Sequence, residues 1–166
     1  MDVDNLFEEY DINGEPIFFV DEDCLQPFSG HIEEYDRGFL CMESDVLDGF
    51  IDGVYKEYFF LTKKLQLISN VKKNMSNGLS IEFYENGMVQ SLSLVINNEF
   101  FDSYQYDEKG KLIDKTIWSE QDESLLNLNR DGVRVMELRE EYNLEQINEE
   151  ILRDGINFDY KKYFRK

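Results

Sequence analysis

His31 is the only histidine in this 166-residue chain, so any Ser–His–Asp or Cys–His reaction would have to pass through it. It falls at a strand-like position, and no G-x-S-x-G elbow or comparable nucleophile setting accompanies it. Cys24 and Cys41 are the two thiols; they form no C-x-x-C and share no metal-ligand spacing. Cys41 sits in the apolar run Phe39-Leu40-Cys41-Met42 and reads as a small buried thiol. Carboxylates are plentiful. Asp21-Glu22-Asp23 and Asp45, Asp48 and Asp52 could offer oxygens to Ca²⁺, but neither set has the calcium loop with its glycine and closing glutamate, so both read as solvated acidic surface. Asp107-Glu108-Lys109-Gly110 looks calcium-like but stands where a hairpin turn is expected. A Walker loop, G-x-G-x-x-G and H-E-x-x-H are all missing, and no carboxylate pair is singled out for glycoside hydrolysis. The expectation is a non-enzymatic protein with no catalytic residue, cofactor or metal.

The distribution of charge is more informative than any single residue. The chain has 36 Asp+Glu against 17 Lys+Arg, a formal charge of −19. Residues 1–53 hold 16 acids and one base, Arg37, and so carry −15; residues 54–166 carry the remaining −4. Such a charge repels phosphate at long range, which disfavours nucleic acid and anionic membrane as direct partners. No run approaches the roughly 20 apolar residues of a membrane span, and the acidic start Met1-Asp-Val-Asp4 is unlike a signal peptide, so a cytoplasmic location is expected. With 13 Phe, 10 Tyr and one Trp, and 42% apolar residues, the chain can still build a core. The absence of Ala, with only two Pro, mildly favours an aromatic-rich sheet.

The elements that must position these residues come from an internal period. Four segments open alike: Gly30-His-Ile-Glu-Glu-Tyr35, Gly53-Val-Tyr-Lys-Glu-Tyr58, Gly78-Leu-Ser-Ile-Glu-Phe83 and Asp102-Ser-Tyr-Gln-Tyr106. The third continues through Asn86-Gly87, the strongest short hairpin signal because both residues accept positive φ. Asp36-Arg37-Gly38 and Asp107–Gly110 make the equivalent turns, while Leu61-Thr62-Lys63-Lys64 is longer, lacks Gly and predicts a looser one. Around Asn86-Gly87, Leu79, Ile81 and Phe83 alternate with Ser80, Glu82 and Tyr84, and on the return run Leu92, Leu94 and Ile96 share one face while small Ser91 and Ser93 lie on the other. Each repeat is thus a β-hairpin, and hairpins in series form an antiparallel meander in which neighbours bury one another.

This pattern resembles the variant MORN-type repeat found in bacterial proteins grouped as YwqK-like antitoxins. The resemblance rests on Gly30, Glu34, Tyr35 and Gly38; on Gly53, Glu57 and Tyr58; on Gly78, Glu82, Phe83, Tyr84, Asn86, Gly87 and Val89; and on Tyr106, Gly110 and Leu112. It covers residues 27–118. The second copy departs from it in the missing turn glycine and the fourth in Asp102 for Gly.

Residues 1–26 form an acidic N-terminal segment with one strand, Ile17–Val20, expected to pair with the first hairpin. The first ten residues read as a short helix or loose chain. Residues 119–166 form a C-terminal helical segment, and the whole reads as a single compact domain. Residues 119–124 are linker-like, and Val133, Met136, Leu138 and Tyr142 fit a short helix or a strand. From Asn143 the signals are clearer: Asn143 caps, Gln146 sits at the capping-box position, Leu144, Ile147, Ile151 and Leu152 form a stripe, and Gly155 stops the helix. The basic tail from Tyr160 to Lys166 reads as a complement to the protein's own acidic surface. The fold class is therefore mainly β, a hairpin-repeat meander with a C-terminal helical cap.

The resemblance implies an immunity protein or antitoxin that neutralises a cognate toxin, and the charge implies that the toxin is basic and acts on nucleic acid. The expected interface is an acidic face of Asp21, Glu22, Asp23, Glu33, Glu34, Asp36, Glu43, Asp45, Asp48 and Asp52, with Phe28, Tyr35 and Phe39 as aromatic anchors. An open sheet edge would also allow a homodimer. The alternative is a non-catalytic MORN-type scaffold that mediates protein or lipid interactions.

Overall fold

The computed structural model describes residues 1–119 and 131–164. The expected linker from 120 to 124, the Val133 side chain and the last two residues of the tail lie outside the described part.

Ten strands and two helices follow one another: β1 (Phe7–Tyr10), β2 (Pro16–Phe19), β3 (Gly30–Asp36), β4 (Phe39–Leu47), β5 (Phe50–Tyr58), β6 (Leu65–Lys72), β7 (Met75–Phe83), β8 (Val89–Ile96), β9 (Glu99–Tyr106), β10 (Leu112–Thr116), α1 (Asp131–Glu141) and α2 (Leu144–Asp154). Strands β3 to β10 form one eight-stranded antiparallel sheet in chain order, so the fold is mainly β with C-terminal α, as the repeat predicts. Each repeat opening lies on an odd-numbered strand and its return on the next.

The pairing shows how the repeat is encoded. In β3/β4, Asp36 pairs with Phe39 across a two-residue turn, Arg37 (φ +49) and Gly38 (φ +81). The register then shifts by one residue, because Tyr35 faces Leu40 but Glu34 faces Met42. The residue passed over is Cys41. The same shift passes over Gln66 in β5/β6, Gln90 in β7/β8 and Ile113 in β9/β10. All four hairpins therefore carry one extra residue at the same place on the return strand, as a bulge does. In the second repeat the loop from Phe59 is indeed longer: the Phe59 N–H donates to the Lys64 carbonyl, and Lys63 takes the left-handed conformation (φ +56) that a turn glycine would otherwise supply. Between repeats the chain reverses through the two-residue turns Asp48-Gly49, Lys73-Asn74 and Asn97-Asn98, every residue at positive φ.

The leading glycines have a specific need. Gly53 has φ +148, and a Cβ there would lie 3.0 Å from that of Asp45. Gly53→Ala is therefore expected to destabilise the N-terminal half by about 1–3 kcal/mol, read as a lower urea midpoint. A midpoint equal to that of the parent protein would refute this account of the repeat's first residue.

The chain divides into two compact units, Met1–Met75 and Ser76–Lys166. In the first, β1 and β2 make their own two-stranded sheet, with Phe7 opposite Phe19 and Tyr10 opposite Pro16. This corrects the expectation that Ile17–Val20 adds to the first hairpin: it is a separate layer. Phe18 and Phe28 from this layer pack on Ile32, Met42 and Val46, with Val3, Leu6, Ile51 and Tyr55 around them. Backbone bonds fasten it, from Phe18 N–H to Gly49 O (2.9 Å) and from Gly49 N–H to Phe28 O (2.8 Å). Asn74 extends the fastening by accepting from Ile51 N–H (2.7 Å) and donating to Pro16 O (2.9 Å). The first ten residues contain a 3-10 turn, Val3–Asn5, before β1.

In the second unit the helices pack on β8. The Asn143 side chain accepts from Gln146 N–H, and Gly155 (φ +52) ends α2 with its N–H on Ile151 O, as the sequence predicts. Leu144, Ile147 and Ile151 are buried, whereas Leu152 stands outside the stripe at 47% exposure. Two tyrosines of β9 bind α2 from below: Tyr104 OH donates to Glu145 (2.8 Å) and Tyr106 OH to Asn148 (2.8 Å).

The tail does answer an acid of its own unit. Glu150, buried on α2, receives Lys162 Nζ at 2.5 Å and the Tyr163 hydroxyl at 2.7 Å. The Lys162 hydrogen bond holds the Glu150 pKa below its ordinary 4.5; burial opposes this and the Tyr163 hydrogen bond adds to it. A depressed carboxyl stabilises fully above its unfolded value and loses that contribution as pH falls through its folded value. Urea denaturation is therefore expected to show a parent-to-Glu150→Gln stability gap at about pH 6 that narrows as the pH falls through the carboxyl's folded value. A gap independent of pH would show that the carboxylate charge does not hold the tail.

Candidate functional site

The alternation along β3 and β4 sorts the acidic segment into two faces. Ile32, Met42, Ser44 and Val46 turn to the core. Their neighbours His31, Glu33, Glu43 and Asp45 turn the other way, and the register places His31 opposite Asp45 and Glu33 opposite Glu43. On β5, Lys56 lies opposite Glu43.

This second face is a connected polar cluster. His31 Nδ1 is 3.0 Å from Asp45 Oδ1, and its Nε2 is 3.5 Å from Glu43 Oε2. Glu43 Oε1 accepts from Lys56 Nζ at 2.5 Å and from the Tyr58 hydroxyl at 2.7 Å. Tyr35 OH donates to Glu33 Oε2 at 3.2 Å. Partial burial would raise the Glu43 pKa, but the hydrogen bonds from Lys56 and Tyr58, then the charges of Lys56 and His31, outweigh it and hold it below the ordinary carboxylate value. His31 and Asp45 are well exposed, with side-chain exposures of 46% and 58%.

Of the sequence-predicted residues, the structure brings Glu33, Tyr35, Glu43 and Asp45 together. Glu34 lies opposite Met42 and so on the other face of the hairpin. Asp36, exposed at the turn, is 3.5 Å from Arg37. Asp48 is exposed in the turn before β5, with its N–H on Ser29 Oγ, and Asp52 is half-buried on β5. The Asp21 carboxylate is occupied within its loop, accepting from Leu25 N–H (3.0 Å) and Gln26 N–H (2.7 Å), while Glu22 and Asp23 point to solvent.

The aromatic anchors fare differently. Tyr35 is 41% exposed and borders the cluster. Phe39 is half-buried at the turns, edge-on to Phe60 (5.2 Å) and beneath Lys63 (4.5 Å). Phe28 must be corrected: it is only 8% exposed and packs in the core, so it offers no surface to a partner.

Sequence reasoning overlooked that His31, Lys56 and Tyr58 join this face. The period carried the signal, since Lys56 and Tyr58 stand at the repeat positions of Glu33 and Tyr35. The calcium-like Asp107 is accounted for by its turn, where one carboxylate oxygen accepts from Lys109 N–H and Lys111 N–H, both at 2.9 Å. Among the described residues no helix is long and apolar enough to cross a membrane. Compared with protein-family models and with curated proteins, the chain matches none.

Proposed function

We infer that this protein is an immunity protein or antitoxin that binds a basic partner through the open face of β3 and β4. The observation that carries the reading is the excess of 16 acids over one base in residues 1–53, part of which the register gathers as Glu33, Glu43 and Asp45 beside Tyr35. A toxin acting on nucleic acid needs a positive cleft to hold phosphate, and an acidic surface with an aromatic at its border can occupy such a cleft. Steering by opposite charge speeds encounter and orients the complex. The likeness of the hairpin repeat to that of YwqK-like antitoxins supports the same reading. Lys56 offsets part of the charge of the patch, so the surrounding exposed carboxylates Glu22, Asp23 and Asp48 contribute to the field.

The test is co-expression with the protein encoded immediately beside it, scored for survival and for co-purification. Rescue of a toxic neighbour with a salt-sensitive complex is the expected outcome. A neighbour that is neither toxic nor bound would overturn the reading.

A further inference from the structure

The geometry points to a divalent transition-metal site on the outer face of β3 and β4, built from His31, Glu33 and Glu43. One donor atom from each of these residues lies within 4.8 Å of the other two, a spacing that one ion could draw together. This set is more than a group of acids, because it contains the chain's one imidazole and that imidazole is oriented from outside the set. The contact of Nδ1 with Asp45 at 3.0 Å places the ring proton on Nδ1 when His31 is neutral, which leaves the Nε2 lone pair facing Glu43 Oε2 at 3.5 Å. A carboxylate behind a histidine is the usual support of a metal-bound imidazole. Glu43 is steadied in the same way: Lys56 and Tyr58 both bind Oε1, and Oε2 is the oxygen turned to His31.

A second line of argument comes from the strand pairing. Glu33 and Glu43 lie directly opposite each other, an arrangement of like charges that destabilises a sheet unless a cation sits between them. Lys56 serves Glu43 from its far oxygen. One imidazole nitrogen with two carboxylates suits Zn²⁺ or a neighbouring first-row ion better than Mg²⁺ or Ca²⁺, which take oxygen donors. Three protein ligands on an exposed face leave coordination positions for water or for a partner's side chain. The inference is independent of the identity of any toxin.

Isothermal titration of the purified protein with ZnCl₂ at neutral pH tests it, with MgCl₂ as the comparison. One zinc should bind per chain, with no heat from magnesium. His31→Ala should abolish the binding. Asp45→Asn, which leaves all three ligands in place, should weaken it about 10- to 100-fold. Because His31 and Asp45 are exposed, both variants should unfold at the parent temperature without zinc. Absence of zinc binding by the parent protein would overturn the inference and leave His31 as a hydrogen-bond partner of Asp45. Unchanged affinity in His31→Ala would overturn it equally, by showing that zinc sits on carboxylates elsewhere.

Discussion

Asp102→Ala is expected to destabilise the C-terminal unit by about 3–5 kcal/mol, and Arg139→Ala by a similar amount. Asp102 is 2% exposed on β9 and occupies the place where the other three repeats begin with glycine. Its carboxylate accepts from Arg139 Nε at 2.6 Å and Nη2 at 2.7 Å, and from Trp118 N–H at 2.9 Å. Arg139 also donates to the Trp118 carbonyl at 2.7 Å, so one ion pair ties β9, the chain beyond β10 and α1 together. The hydrogen bond that Arg139 donates to Asp102 is the main reason its pKa is raised, and the guanidinium stays charged even without that partner because its ordinary pKa lies far above neutral. The loss is large because deleting one partner leaves the other charge desolvated, and that penalty exceeds the net worth of the intact pair. Asp102→Gly restores the repeat's own residue and is still expected to be severely destabilising; a repeat-based design would choose it wrongly. Asp102→Asn keeps an acceptor for the Trp118 amide and should fall between the parent and Ala. Trp118 is the only tryptophan and is buried against Phe101, with ring centroids 6.0 Å apart, so its fluorescence in a urea titration reports on this unit directly. A loss below about 1 kcal/mol would mean that the helices are held without this ion pair, by apolar burial through Val135, Leu138, Ile147 and Ile151 and by the hydrogen bonds of Tyr104 and Tyr106.

The fourth repeat thus shows both the reach and the limit of reading this sequence. The period of the openings, the alternation along the strands and Asn86-Gly87 were enough to give four hairpins and their order. The capping signals around α2 were equally direct, because a cap is a local event between Asn143 and Gln146. The N-terminal layer was less legible. The sequence predicts one strand there, Ile17–Val20, but Asn13-Gly14 lies in the turn of a hairpin: Asp11 N–H donates to Glu15 O, and the Asp11 side chain accepts from the Asn13 and Glu15 N–H groups. Its first strand, Phe-Glu-Glu-Tyr, is exposed throughout and lacks the alternation that marks a half-buried strand.

The site was hidden for a different reason. With a plain two-residue turn at Arg37-Gly38, Glu33 would pair with Met42 and a core residue would meet an acid. The extra residue at Cys41 moves Glu33 to Glu43 and His31 to Asp45, which sends the apolar set to the core and the ionisable set outward. That shift depends on backbone geometry and is carried by residues of three different kinds, Cys41, Gln66, Gln90 and Ile113. No residue-type pattern announces it, although their spacing follows the period of the repeats.

The same register makes the proposed interface testable with an internal control, and the expected effect is the larger of the functional ones. Glu33→Lys reverses one carboxylate on the outer face while leaving the Glu43–Lys56 pair in place; association with a basic partner should slow by about 10-fold at low salt. Glu34→Lys changes the charge of the same hairpin on its opposite face and should slow association far less. The contrast separates a local docking surface from general attraction, since long-range attraction alone would respond to the total charge wherever it is placed. Raising the salt should narrow the difference between parent and variant, because screening removes the part of the rate that charge supplies. Tyr35→Ala should act on dissociation, because an exposed aromatic at the border of the cluster contributes by being buried on docking and adds nothing to the field. Equal rates for the Glu33→Lys and Glu34→Lys variants, which change the total charge equally, would disprove docking through this face. The 16 acids would then serve to keep an aromatic-rich sheet in solution, and the expected signature of that role is loss of solubility in both charge-reversed proteins.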